Sequence, residues 1–154
     1  MQVKEILRIK GTTLYTVSPA NTLADAVISM AERDIGSVVV MQQGRLVGML
    51  TFREVIKVLA QRQKENRIGP TPTMAQISVA EVMEANPAIA TPEMEVDELR
   101  ARMLESHQRY MPVMEGETLQ GVISFHDVAR AVLEEQAFEN RMLKGYIKDW
   151  PSEG

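Results

Sequence analysis

Gly48-Met49-Leu50-Thr51-Phe52-Arg53-Glu54 and Gly121-Val122-Ile123-Ser124-Phe125-His126-Asp127 are two versions of one seven-residue pattern. Each reads glycine, two apolar residues, a small hydroxyl, phenylalanine, a basic or potentially basic residue, and a carboxylate. Each follows an apolar run with strand character and precedes a run with helical spacing. The stretch is a strand end turning into a helix start, with a hydroxyl and an acid at the turn. That spacing fits a capping box, in which the two side chains bond each other's backbone N–H groups. The same turn also suits a ligand. A helix N-terminus presents free N–H groups and a partial positive charge, which favour a phosphate. A hydroxyl there can donate to a phosphate oxygen, and a carboxylate can accept from ribose hydroxyls. The sequence alone leaves both readings open.

Around the turn the chain repeats itself. The halves align without a gap at an offset of 73 residues, Gly48 onto Gly121. Pro19 then meets Pro92, Met30 meets Met103, Leu46 meets Leu119 and Val55 meets Val128. Such a register marks a duplicated unit. In the first copy, Leu14 to Val17 reads as a short strand and Thr22 as the cap of a helix with Leu23, Ala26, Val27 and Met30 inward. Ser37 to Met41 and Arg45 to Leu50 form a hairpin around Gln42-Gln43-Gly44. Thr51 opens a helix with Val55, Ile56 and Leu59 inward. In the second copy, Ala88 to Thr91 is the short strand, and Val96, Leu99 and Met103 mark the helix. Tyr110 to Met114 and Thr118 to Ile123 form the hairpin, and Ser124 opens the last helix.

A short helix precedes each copy, over residues 2–9 and from Ser78-Val79-Ala80-Glu81 through Met83. The segments predicted are repeat one at 1–63, a linker at 64–77, repeat two at 78–135, and a helical extension and tail at 136–154. The last helix carries apolar residues from Val128 to Ile147 and would be about 35 Å long. Its far end, with Trp150, should pack on the module or on another subunit. The fold class is α/β (α+β): two βαββα units about a pseudo-twofold axis, with two related clefts built from both halves.

Here the residues resemble a known family. The helix–β–α–β–β–α order and the Gly-h-h-Thr/Ser-x-x-Asp turn look like a CBS domain, and two in tandem like a CBS pair, or Bateman module. Lys10-Gly11, Ile35-Gly36-Ser37-Val38-Val39-Val40 and Arg109-Tyr110-Met111-Pro112-Val113 match as well. The resemblance covers about residues 2–135 and points to small stand-alone bacterial proteins of this kind. It implies a regulatory module that binds an adenine nucleotide, AMP first and ATP or NAD as alternatives, and catalyses nothing itself. Val122, Ser124, His126 and Asp127 would take phosphate and ribose in one cleft. Lys10, Tyr15, Ile35, Gly36 and Ser37 would face the base, and Arg109 stands where relatives place a phosphate-binding residue. The symmetric cleft would use Thr51, Arg53 and Glu54, with Gln108, Arg109 and Tyr110 on the base side. There Glu54 replaces the usual Asp, and the extra methylene weakens the case for a ribose contact. The alternative is a structural, dimerising module without ligand. A homodimer and an unidentified protein partner are expected in either case.

The totals of the 154-residue chain agree with a soluble cytoplasmic protein: 45% hydrophobic and 25% charged residues, with a formal charge of −4. That charge gives no reason to expect nucleic acid. There is no cysteine, no run of the ~20 apolar residues that a membrane span needs, and no signal-peptide core at the start. His107 and His126 lie 19 residues apart without an HExxH pattern, so no metal is expected. The 11 methionines read as core fillers, and Arg130 and Lys57 as surface charges.

Overall fold

The computed structural model describes residues 1–11, 14–65 and 73–148. The elements follow as α1 (Val3–Lys10), β1 (Thr16–Val17), α2 (Leu23–Arg33), β2 (Ser37–Gln42), β3 (Arg45–Thr51) and α3 (Phe52–Glu65). After 66–72 come α4 (Val79–Val82), β4 (Glu84–Ala85), α5 (Val96–Ser106), β5 (Tyr110–Glu115), β6 (Thr118–Ser124) and α6 (Phe125–Lys148). One sheet has the order β1-β2-β3-β4, and the other consists of the β5-β6 hairpin.

The offset of 73 recurs in three dimensions. The hairpins carry matching register shifts at Val40/Met41 and Val113/Met114. The helices α2 and α5 both end on a left-handed residue, Asp34 (φ 53°) and His107 (φ 57°). The parallel pairing of Val17 with Val40 is repeated by a bridge between Ala90 and Val113. That bridge is all that forms of the strand expected over Ala88–Thr91, and β1 is likewise shorter than Leu14–Val17. In the first hairpin Gln43 and Gly44 both have positive φ, 50° and 76°. This is the turn geometry that follows the twist of the strands, and glycine adopts it without strain.

The short helices sit where the sequence order does not put them. Val3, Ile6 and Leu7 of α1 are buried in the core of the second half, with Leu99, Met103, Met111 and Ile123. Val79 of α4 is buried in the core of the first half, with Leu23, Met30 and Leu50. Each half is completed by the helix that precedes the other. The bonds that hold them match one for one. Val3 N–H donates to Met94 O (2.8 Å), Lys4 N–H to Pro92 O (2.9 Å) and Val96 N–H to Met1 O (3.0 Å). On the other side Val79 N–H donates to Asn21 O (2.8 Å), Ala80 N–H to Pro19 O (3.1 Å) and Leu23 N–H to Ile77 O (2.8 Å). These are N–H groups that a helix start leaves without an intrahelical acceptor.

The two glycines of the repeated stretch lie under these incoming segments. A Cβ at Gly48 would press on the Met83 sulfur and the Glu84 carbonyl, and one at Gly121 on a Leu7 methyl. One helix face departs from expectation. In α3, Val55 and Val58 pack on the core, while Ile56 and Leu59 are more than half exposed. Trp150 and residues 66–72 of the linker lie outside the described residues.

If α1 belongs to the second core, Ile6→Ala lowers the stability of the whole chain by about 2–5 kcal/mol, as other buried truncations do. Urea unfolding measures this; a loss near zero would place α1 outside the core.

Candidate functional site

Side chains cap both repeated turns, but only the second is a reciprocal capping box; at the first, Thr51 Oγ accepts from Arg53 N–H (3.1 Å). At the second, Ser124 N–H donates to Asp127 Oδ2 (2.9 Å) and Asp127 N–H donates to Ser124 Oγ (3.0 Å). A third group joins them, because α1 ends beside this turn. Lys10 Nζ donates to Asp127 Oδ2 (2.6 Å) and to the carbonyl of Val122 (2.8 Å). In the first half, Met49, the counterpart of Val122, pairs with Glu84 of β4. The lysine ammonium therefore meets a strand carbonyl at the position where the first half has a strand. Burial pushes the Asp127 carboxyl up, but the Lys10 and Ser124 hydrogen bonds and the lysine charge outweigh it and hold the group below its ordinary value. The bonds from Lys10 Nζ and from Ser124 N–H both fall on Asp127 Oδ2.

In front of this turn lies a cleft of about 500 Å³, lined from both halves. Lys10, Tyr15, Ile35, Gly36, Ser37, Tyr110, Val122 and Ser124 line it together. Gly11, Leu14, Asp34 and Gly121, which sequence reasoning did not assign to the site, also line it. Asp127 and His126 are not in the lining; Asp127 is linked to it through Lys10, and His126 is exposed. The Arg33 guanidinium stacks 4.2 Å from the centroid of the Tyr15 ring, occupying one of its faces. Tyr110 approaches so closely that a Cβ on Gly36 would overlap its hydroxyl.

The symmetric cleft, about 910 Å³, is lined by Thr51, Arg53, Glu54, Gln108, Arg109 and Tyr110 among others. Arg109 faces this cleft and is absent from the lining of the other. Glu54 is buried and folds back on Thr51. It accepts from Thr51 N–H (2.9 Å), and the Thr51 hydroxyl lies 3.0 and 3.2 Å from its two oxygens. Gln108 is engaged as well: its amide bonds Ala88 N–H (2.7 Å), Ala88 O (3.1 Å) and Tyr110 O (3.2 Å). It holds the 88–90 segment to the hairpin and has no donor left for a base. Lys57, read from sequence as a surface charge, lines this cleft beside Arg53. The signal was there, since residues four apart share a helix face. Phe52 and Phe125, the aromatic pair of the repeated stretch, line it too.

Among the described residues no three His, Asp or Glu side chains cluster to hold a metal, and no helix is long and apolar enough to cross a membrane.

A duplicated strand–turn–helix unit with two clefts at the junction is a tandem-repeat α/β architecture, and comparison gives its family. The chain belongs to the CBS-domain family, whose model matches residues 3–61 and 79–134. It is 31% identical over 119 residues to the CBS domain-containing protein YhcV of Bacillus subtilis, covering 77% of this chain and 78% of that one. The crystal structure of a CBS-domain-containing protein from Agrobacterium tumefaciens is similar at a TM-score of 0.75 and 30% identity, covering 85% of this chain and 98% of that one. The structure of CBSX2 in complex with AMP has the same fold, at a TM-score of 0.68 and 20% identity, covering 88% of this chain and 98% of that one.

The depressed Asp127 pKa makes a signed prediction. Its contribution to stability is complete above the ordinary carboxylate value of 3.8 and is lost as pH falls through the lower folded value. Between about pH 6 and about pH 3, Asp127→Asn should therefore lose less stability than the native chain. Equal losses in parallel urea titrations would show that the Lys10 pair does not survive in solution.

Proposed function

We propose that this chain is a regulatory module that binds an adenosine-containing nucleotide, AMP first and ATP or NAD as alternatives, in the cleft beside Asp127. The observation that carries this reading is the cleft itself. It gathers Lys10, Tyr15, Gly36, Tyr110 and Ser124 from both halves at the N-terminus of α6. Ser124 Oγ accepts from Asp127 N–H, and its hydroxyl, which also bonds the Asp127 carboxyl, can turn to donate to a phosphate oxygen. The Asp127 carboxylate, beside the cleft, can accept from a ribose hydroxyl. Tyr15 and Ile35-Gly36-Ser37 offer a flat, partly apolar wall for the base. Lys10 supplies positive charge for a phosphate, with the α6 dipole behind it. That CBSX2, a chain of this fold, is solved with AMP supports the choice of ligand.

The geometry favours unequal clefts. Both oxygens of Glu54 are engaged by Thr51, so the turn beside it acts as a cap alone. Tyr110 lines both clefts, and a ligand that moves it in one alters the other. Ligand energy is then used to change the angle between the halves. The module works as a homodimer, and a separate polypeptide reads that change.

Thermal unfolding with nucleotide tests the reading. AMP at ~100 times its Kd should stabilise the native chain by about 2.7 kcal/mol. Asp127→Ala should abolish the shift, whereas Glu54→Ala should cost about 1 kcal/mol of cap stability and keep it. No shift with AMP, ATP or NAD would leave a structural module whose turns are caps only.

A further inference from the structure

The duplication allows the two clefts to be compared position by position, and their charges diverge. Arg53 and Lys57 of α3, His107 at the end of α5 and Arg109 ahead of β5 line the Thr51 cleft together. At the offset of 73 their counterparts are His126, Arg130, Asp34 and Gly36. His107 and Asp34 both hold the left-handed position that ends a helix. The same backbone geometry thus places an imidazole at one cleft and a carboxylate at the other.

Lys57 shows the divergence most directly. Its counterpart Arg130 is paired with Glu134, four residues on, at 3.3 Å. The counterpart of Glu134 in the first half is Gln61, so Lys57 has lost that partner. No ion pair among the described residues includes Arg53, Lys57 or Arg109. Left to itself this arrangement costs stability. Like charges four apart on a helix repel, and a cation in the first turn opposes the helix dipole. Arg53 does both. The whole chain carries a formal charge of −4, yet these cations converge on one cleft, where a single sign of charge focuses the field. Two carboxylates line the same cleft, Glu54 and Glu84. Glu54 is buried against Thr51, which leaves Glu84 as the exposed acid of the lining. A multiply charged anion offsets the remaining repulsion.

What the cleft lacks narrows the ligand. Both Glu54 oxygens lie against the Thr51 hydroxyl, at 3.0 and 3.2 Å, so no carboxylate is free for a ribose. The Gln108 amide is spent on Ala88 and Tyr110. The groups that hold phosphate are present, and those that would hold a nucleoside are not.

We propose that the Thr51 cleft binds a multiply charged phosphate without a nucleoside, a diphosphate or triphosphate anion held by Arg53, Lys57 and Arg109. This site is separate from the nucleotide cleft beside Asp127 and does not rest on it.

Calorimetric titration of the full chain with sodium tripolyphosphate tests it. One anion should bind per chain. Arg109→Gln and Lys57→Gln should each weaken binding about tenfold, the loss of one charge-assisted contact. Gln61→Glu removes no cation but restores the pairing that Arg130 has, and should weaken binding as well. Arg141→Gln, on α6 outside the cleft, should leave it unchanged. Each of these residues is exposed, so the fold is not at stake. An equal loss with Arg141→Gln would mean diffuse attraction and overturn the site, as would no binding at all. ATP that binds through Arg109 more than ten times as tightly as tripolyphosphate would mean that a nucleoside is read there, and overturns the assignment. Asp127→Ala separates the two clefts: it should remove AMP binding and leave tripolyphosphate binding in place. AMP binding alone sinks this proposal, and tripolyphosphate binding alone sinks the nucleotide reading.

Discussion

Six backbone hydrogen bonds at four helix starts hold this molecule in its arrangement. Near α1 and α5, and again near α4 and α2, helix N-termini are laid against each other, each giving N–H groups to carbonyls just ahead of its neighbour. A buried N–H without an acceptor costs about as much as a lost hydrogen bond. Neither helix of a pair can leave without exposing both. The apolar faces behind the bonds, Val3, Ile6 and Leu7 on one side and Val79 on the other, make separation costlier still. The exchange of short helices between halves is therefore the constraint from which the rest follows.

It also accounts for the difference between the two clefts. Carried over to the second half, α1 delivers Lys10 to the turn at Ser124, where it joins the carboxylate of Asp127 to a strand carbonyl. On the other side α4 has only four residues before the chain enters β4, so Glu84, an acid, arrives beside the cleft instead. The duplicated turn is the same in both places, and the element delivered to it is not. One cleft has a lysine–aspartate pair; the other has a glutamate closed on its own threonine.

Much of this was legible from residues. A gapless repeat fixes equivalence along the chain, and the hairpins, the caps and the buried faces of α2 and α5 appear where the offset puts them. The burial of Val3, Ile6 and Leu7 was also readable, since their spacing defines one apolar face. Which core receives that face was not, because periodicity specifies the stripe and says nothing of its partner. The same limit explains α3: Val55, Ile56, Val58 and Leu59 cover two faces, and only packing separates the pair that is buried from the pair that is not. For the site, the hydroxyl and acid of each turn could be named, but not that Glu54 would be used up by Thr51 or that Gln108 would pair with Ala88. Those outcomes depend on where one side chain ends, a matter of ångströms that spacing does not encode.

The position of α1 has a consequence for how the protein comes into being. A ribosome releases Val3 before the surface that receives it, which includes Ile123, Val128 and Ala131, made more than a hundred residues later. The helix α1 must stay undocked, with its apolar stripe in water, until those residues have been synthesised. Contacts this distant in sequence slow folding, since a long loop must close before they form. The first half can meanwhile finish itself as soon as α4 emerges, and the docking of α1 onto the second half comes last.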